Sequence, residues 1–229
     1  MNAVLFDIDG TLLDMRGVGR QSFVSALKTT FGIDDELRYV EFPGNTDLNI
    51  LQQVMKHHGR PLSSSDCERF HIQLPRELSA TAHQAKLILY PGVRELLESL
   101  SSTPGIILGL VTGNVEACAW IKLQQFNLHN HFVLGAFGDE HANRNTLARL
   151  ALDRVTAHLE PGQTLEACFL VGDTPNDIAA AHSIGAVSVA VATGKFNTQA
   201  LKSAGADVVL PDLSDVPCVM ELFTSAPHS

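Results

Sequence analysis

Continuous apolar runs alternate along the chain with segments whose apolar residues recur every third or fourth position. The runs Val4 to Phe6, Ile106 to Val111, Phe132 to Phe137, Cys168 to Val171, Val187 to Val191 and Val208 to Leu210 show no polar alternation. That is the pattern of parallel strands covered on both faces. Between them, Val93, Leu96, Leu97 and Leu100 share one helical face, and Leu147, Ala151 and Val155 return at every fourth residue. The alternation predicts a doubly wound parallel α/β sheet.

One long segment breaks it. From Arg16 to His83 the apolar residues form only helical stripes, Phe23–Leu27–Phe31 and Leu48–Leu51–Met55, punctuated by Pro43-Gly44, Gly59-Arg60-Pro61 and Ser63-Ser64-Ser65. The expected organisation is an α/β core from residues 1–15 and 84–229 with an all-helical insertion over 16–83. The chain would cross between them near Asp14 to Gly19 and again near Lys86 to Gly92.

Ligands of open α/β sheets bind at the carboxyl ends of the strands, so the residues after each apolar run carry the chemical information. The first run opens "AVLFDIDGTLLD", an apolar strand leading straight into Asp7 and Asp9. Two carboxylates held that close must share a proton or a cation. Later runs end in "LVTGN", "GDEHANR" and "VGDTPND". Each feature has an ordinary reading by itself. Thr174, Pro175 and Asp177 make a helix start with a capping box, and Thr112 or Asn114 could cap a helix. Arg144 opens a helix, where the macrodipole disfavours a cation, so its placement suggests a nearby anion.

Together they point one way. Asp7, Asp9 and Asp173 are expected to converge at one sheet edge, where two carboxylates about 4 Å apart repel by roughly 4 kcal/mol at an effective dielectric near 20. A hard oxygen site without His or Cys at ligand spacing favours Mg²⁺. Thr112, the amides of Gly113 and Asn114 and the following helix N-terminus suggest a phosphate cradle, and Arg144 adds a positive fork.

Composition narrows the rest. The chain has 229 residues, 45% hydrophobic and 18% charged, which fits a folded globular protein. A net charge of −9 leaves no basic surplus for nucleic acid and repels an anionic substrate at long range, so any phosphate site must make its own field. Cys67, Cys118, Cys168 and Cys218 lack disulfide or metal-ligand spacing, and no apolar stretch is long enough to span a membrane. With no leader pattern at the N-terminus, the cytoplasm is the expected location.

The motifs "DIDGTLLD", "LVTGN", a basic residue before a helix and "GDTPND" occur in the order that marks the haloacid dehalogenase superfamily. The chain resembles its phosphatase branch, in particular phosphoglycolate-phosphatase-like members with a helical cap on a Rossmann-like core. The resemblance implies that Asp7 is the nucleophile, forming an aspartyl-phosphate, and that Asp9 is the acid and base. It implies Mg²⁺ held by the Asp7 carboxylate, the Asp9 carbonyl and Asp173, with Asp177 orienting a water of the metal. Thr112 would donate to the phosphoryl group, and Arg144 would stand where most relatives have Lys. The superfamily's dehalogenases lack an acid at the position of Asp9 and need no metal, so Asp9 implies phosphate chemistry.

The insertion would then act as a lid with "GVGR" and "FPGNTDLN" facing the site, offering Arg16, Arg20 and Thr46 as substrate contacts. Arg16 and Arg20 read equally well as solvated helix charges. The implied activity is hydrolysis of a small phosphorylated metabolite, without nucleic-acid or membrane partners and as a monomer or homodimer. A phosphomutase would use the same residues, and a non-catalytic binding or regulatory protein could share the fold.

Overall fold

A computed structural model of the chain describes residues 1–82 and 85–224; the boundary expected at His83 lies outside the described residues. Six parallel strands form the main sheet: β1 (Asn2–Phe6), β4 (Ile106–Val111), β5 (Leu134–Ala136), β6 (Ala167–Gly172), β7 (Val187–Val191) and β8 (Val208–Leu210). Their order is β5-β4-β1-β6-β7-β8, every neighbouring pair being parallel. The chain leaves β1 for β4 and β5 on one side and later returns for β6, β7 and β8 on the other. The topological switch point therefore falls beside β1, where Asp7 follows Phe6.

Successive residues of β1 point to opposite faces, and both faces are covered. Val4 and Phe6 join the larger core with α4 (Val93–Ser101), α5 (Glu116–Gln124) and α9 (Val216–Thr224). Ala3 and Leu5 join a second core with α6 (Arg144–His158) and α7 (Pro175–Ser183). This two-sided burial is why the strands read as unbroken apolar runs. The third run is shorter than its sequence suggests. Phe132 and Phe137 are buried but lie outside β5, since a 3₁₀ turn over His129–His131 delivers the chain and Glu140 binds Phe137 N.

Between β1 and α4 lie three helices, α1 (Val18–Phe31), α2 (Asp47–His57) and α3 (Ser64–Ala82), with no strand among the described residues from Val18 to Ala82. They close on an aromatic cluster in which the Phe23 ring lies 4.8 Å from Phe70 and 5.6 Å from Phe42. Both crossings pass through a two-stranded antiparallel ribbon, β2 (Leu13–Asp14) on β3 (Ile88–Leu89). Two residues per strand are too few for any periodic pattern, so the sequence gives no sign of it.

The C-terminal helix α9 locks the sheet centre. Phe223 is fully buried and packs edge-on against Phe6 and Phe169, at 6.4 and 5.2 Å between centroids. Phe223→Ala is expected to cost about 3–5 kcal/mol, read as a lowered denaturation midpoint with an unchanged m-value.

Candidate active site

The carboxyl end of β1 sets the geometry. Asp7 continues the strand through its amide, which donates to Val171 O at 2.9 Å. The chain then turns at Gly10, which has φ +84°. A β-carbon there would overlap the Asp173 carboxylate, so glycine serves both the left-handed turn and the close approach. Asp173 itself follows β6, the next strand in the sheet, and is 2% exposed.

Asp7, Asp173 and Asp177 form the acidic cluster, each offering an oxygen within 4.8 Å of the others. Arg144, the first residue of α6, enters it from the opposite side. Its Nη2 lies 2.7 Å from Asp7 Oδ1, 2.7 Å from Asp177 Oδ1, and donates to Val111 O at 3.1 Å. Burial and the neighbouring Asp177 and Asp9 hold the Asp7 carboxyl above the usual range, although Arg144 pulls it down. Asp173 is also raised, by burial and then by repulsion from Asp177 and Asp7. Burial opposes the Arg144 charge, but Asp177 and Asp7 outweigh it and its pKa rises.

Asp177 divides its two oxygens between separate tasks. Oδ2 accepts from Thr174 N and Thr174 Oγ1 at 3.0 and 2.6 Å, closing the capping box at the start of α7. Oδ1 turns to Arg144 but receives no aligned hydrogen bond, and Arg144 Nε is likewise buried without an acceptor. Three buried carboxylates thus face one guanidinium. The all-oxygen donor set, with one buried oxygen unpartnered, fits a divalent cation, which would supply the missing positive charge.

Asp9 departs from the expected convergence. Its Oδ2 is turned away from the cluster, accepting from Lys122 Nζ at 2.6 Å and Asn114 Nδ2 at 2.7 Å. Lys122 also donates to Asn114 Oδ1 at 2.6 Å. Burial alone would lower the Lys122 pKa, but the Asp9 contact and Asp47 more than reverse it. Lys122 and Asp47 escape sequence reading for a simple reason. Each lies in a helix where a charge is ordinary, Asp47 in the first turn of α2 and Lys122 near the end of α5. The usable signal is that Lys122 stands on the buried face of α5 with Cys118, Ala119 and Leu123.

The phosphate cradle also differs from expectation. The first amides around α5 already have acceptors: Val115 N donates to Asp47 Oδ2 at 2.8 Å and Glu116 N to Asp139 Oδ1 at 3.0 Å. Asn114 N is bound to Thr112 Oγ1 at 3.3 Å, and the Asn114 side chain serves Asp9. Gly113 N is left without an acceptor among the described residues. A β-carbon on Gly113 would collide with Asn45 O, because the start of α2 is laid directly on this loop and Asp47 N donates to Gly113 O at 2.7 Å.

Two of the three substrate contacts expected from the helical segment are corrected. Thr46 caps α2 by accepting from Asn49 N, and its hydroxyl donates to Ala142 O at 3.0 Å, so no donor remains for a ligand. Arg16 is exposed, pairs with Asp14 at 3.6 Å and does not line the site. Arg20 does line it. The open cavity is about 730 Å³ and brings Asp7, Asp9 and Arg144 together with Arg20, Phe42 and Asn45 of the helical segment.

The profile of the haloacid dehalogenase-like hydrolase family matches residues 4–191. The chain belongs to this family. It is 29% identical over 230 residues to a phosphoglycolate phosphatase of Vibrio vulnificus, covering 93% of each protein. To the pyrophosphatase PpaX of Oceanobacillus iheyensis it is 25% identical over 227 residues, 94% of this chain and 95% of that one. Among solved structures, a hydrolase from Pseudomonas syringae superposes with a TM-score of 0.72 at 22% identity, covering 98% of this chain and 100% of that one. CbbY from Rhodobacter sphaeroides, in complex with phosphate, gives 0.70 at 22% identity over 93% and 95%. These two likenesses establish the fold. No helix among the described residues is long and apolar enough to cross a membrane.

Asp47 is buried, which raises its carboxyl to about 6 against the opposing pull of Lys122 and Val115 N. A folded-state pKa above the unfolded value favours the folded protein at low pH. This contribution is lost as pH rises from about 4 to 6, about 3 kcal/mol by linkage. Asp47→Asn keeps an oxygen for Val115 N and removes the titration. Its denaturation free energy is expected to fall less than that of the parent protein between pH 4 and 6.

Proposed function

We propose that the protein is a Mg²⁺-dependent phosphatase that hydrolyses a small phosphomonoester through an aspartyl-phosphate on Asp7. The reading rests on the arrangement of Asp7 at the sheet's switch point with Arg144, Asp173 and Asp177 around it and Asp9 held two residues on. The phosphatase names of the curated relatives support the same chemistry. Asp7 and Asp173, with the Asp9 carbonyl, would hold the ion, and Asp177 would fix its surroundings. Bound there, the ion would supply positive charge to offset the negative charge of the phosphoryl group.

In this reading an Asp7 oxygen attacks phosphorus, and the bond to the leaving oxygen breaks as Asp9 delivers a proton to it. Water then attacks the phosphorus of the acyl phosphate while Asp9 takes its proton, releasing orthophosphate and restoring Asp7. Lys122 and Asn114 both grip Asp9 Oδ2 and so leave Oδ1 for proton exchange. Thr112 Oγ1 accepts from Asn114, which keeps the hydroxyl hydrogen for a phosphoryl oxygen, and Gly113 N provides a further donor. Arg144 holds Asp7 in place and opposes the repulsion between a carboxylate and a phosphate dianion.

Residues of the helical segment line the same cavity as these groups, and the segment would limit the access of bulk water to them. The soluble product separates hydrolysis from phosphoryl transfer within a sugar phosphate, since only hydrolysis releases orthophosphate. Asp7→Asn is expected to lower orthophosphate release from a Mg²⁺-supplemented ester panel by at least a thousandfold with an unchanged circular dichroism spectrum; undiminished turnover would remove Asp7 as nucleophile. Excess EDTA is expected to abolish activity and Mg²⁺ to restore it. Full turnover in the chelator would remove the metal from the proposal.

A further inference from the structure

One wall of the cavity is hydrocarbon. Phe23 of α1, Ile50 of α2, Leu74 and Leu78 of α3 and Cys118 of α5 all line it, each between 1 and 4% exposed. Cys118 lies one turn before Lys122 on the same buried face of α5, and Lys122 Nζ meets Asp9 Oδ2 at 2.6 Å. Helix α1 passes on the same side, since a β-carbon on Gly19 would stand 3.7 Å from Lys122 Nζ. The apolar wall therefore begins beside the carboxylate that, in the reading above, delivers a proton to the leaving oxygen.

The polar groups of this wall are engaged within the protein. Ser22 Oγ donates to Val18 O at 2.8 Å and meets Thr81 Oγ1 at 3.0 Å. Lys122 donates to Asp9 and Asn114, and Asp47 Oδ2 accepts from Val115 N. Burial pushes the Cys118 thiol well above its usual range and so keeps it neutral. Arg20, which also lines the cavity, gives Nη2 to Leu37 O and Val40 O and sets its guanidinium carbon 4.7 Å from the centre of the Phe42 ring. A hydroxyl pressed against this wall gives up its hydrogen bonds to water without replacement, which a hydrocarbon does not. Space bordered by buried apolar side chains is weakly hydrated and takes up hydrocarbon readily.

We propose that this wall receives an uncharged hydrocarbon leaving group, so that the preferred esters are phosphates of apolar alcohols and not of polyols. This rests on the phosphatase reading and narrows it. The phosphoryl group lies against Asp7 and Arg144, the leaving oxygen faces Asp9, and the carbon behind it runs along the wall where α3 packs on both α1 and α5. A cavity of about 730 Å³ has room for several carbons beyond the phosphoryl group. A few polar groups at one end fix the orientation of the ester, and the apolar side chains at the other supply the affinity.

The test follows orthophosphate release, with Mg²⁺ present, from the unbranched alkyl phosphates ethyl to hexyl, from benzyl phosphate, and from glycerol phosphate and phosphoglycolate as polar controls. The leaving alcohols of the alkyl series have nearly the same chemistry, so differences in kcat/KM report contact with the wall. A rise of about threefold per added methylene is expected until the space is filled. Pentyl phosphate is expected to exceed 4-hydroxybutyl phosphate, which has a hydroxyl in place of its last methyl, by about tenfold. Benzyl phosphate tells whether a ring fits as well as a chain. Leu74→Phe is expected to shorten the preferred chain and Leu74→Ala to lengthen it, a change of profile that loss of stability alone does not produce. A series that stays level or falls, an equal pentyl and 4-hydroxybutyl pair, or Leu74 variants with the parent profile overturn the assignment. Hydrolysis of the polar controls in any of these cases leaves the phosphatase reading standing. Absence of hydrolysis across the whole panel overturns both. Should the Leu74 variants fail to fold, the alkyl series and the isosteric pair on the parent protein decide.

Discussion

Three buried carboxylates around a single guanidinium constrain everything near the switch point of the sheet. At separations under 4.8 Å each ionised pair repels by about 3–4 kcal/mol at an effective dielectric near 20. Arg144 relieves two of the three acids directly, and it can do so only because α6 begins there with its side chain turned inward. Gly10 allows Asp173 to press against the turn after β1, and the capping box ties Asp177 to the start of α7. Strand ends, helix starts and a left-handed turn are thus arranged around one electrostatic problem.

A second polar group sits beside it and is solved differently. Lys122, Asn114 and Asp9 are linked by bonds of 2.6 to 2.7 Å, with Asp47 contributing from the helical segment. Here opposite charges are paired, so the network is complete within the protein, whereas the acidic cluster leaves Asp177 Oδ1 and Arg144 Nε without hydrogen bonds. One group is structurally satisfied and orients a carboxylate; the other keeps polar atoms without partners. Such contrast between neighbouring acids is how environment can give chemically identical side chains separate roles.

Much of this was legible before any coordinates. Val187–Val191 forms a strand over the residues its apolar run marks, because a strand buried on both sides needs no polar alternation, and Val208–Leu210 does the same at the half-buried edge of the sheet. Asp7, Asp173 and Arg144 are readable from their places at strand ends and a helix start, whereas Asp177 reads locally as a capping-box residue and joins the site only through the family resemblance. What was hidden depends on contacts between distant segments. Nothing local to Val115 and Glu116 reveals that Asp47 and Asp139 occupy their amides. Thr46 reads as a candidate substrate contact until Ala142 O is found accepting from its hydroxyl. Lys122 is concealed by its own helix, where one lysine is unremarkable in sequence and decisive once buried.

The arginine at the head of α6 has a chemical corollary. A lysine pressed into a site that loses water can surrender its proton, since its ammonium form is within reach of ordinary alkaline conditions. The guanidinium does not titrate in any range where the fold persists, and its two acidic neighbours bind its charge more firmly still. The anchor on Asp7 therefore has no basic limb of its own, and whatever ends the working range of this centre at high pH must originate in another group.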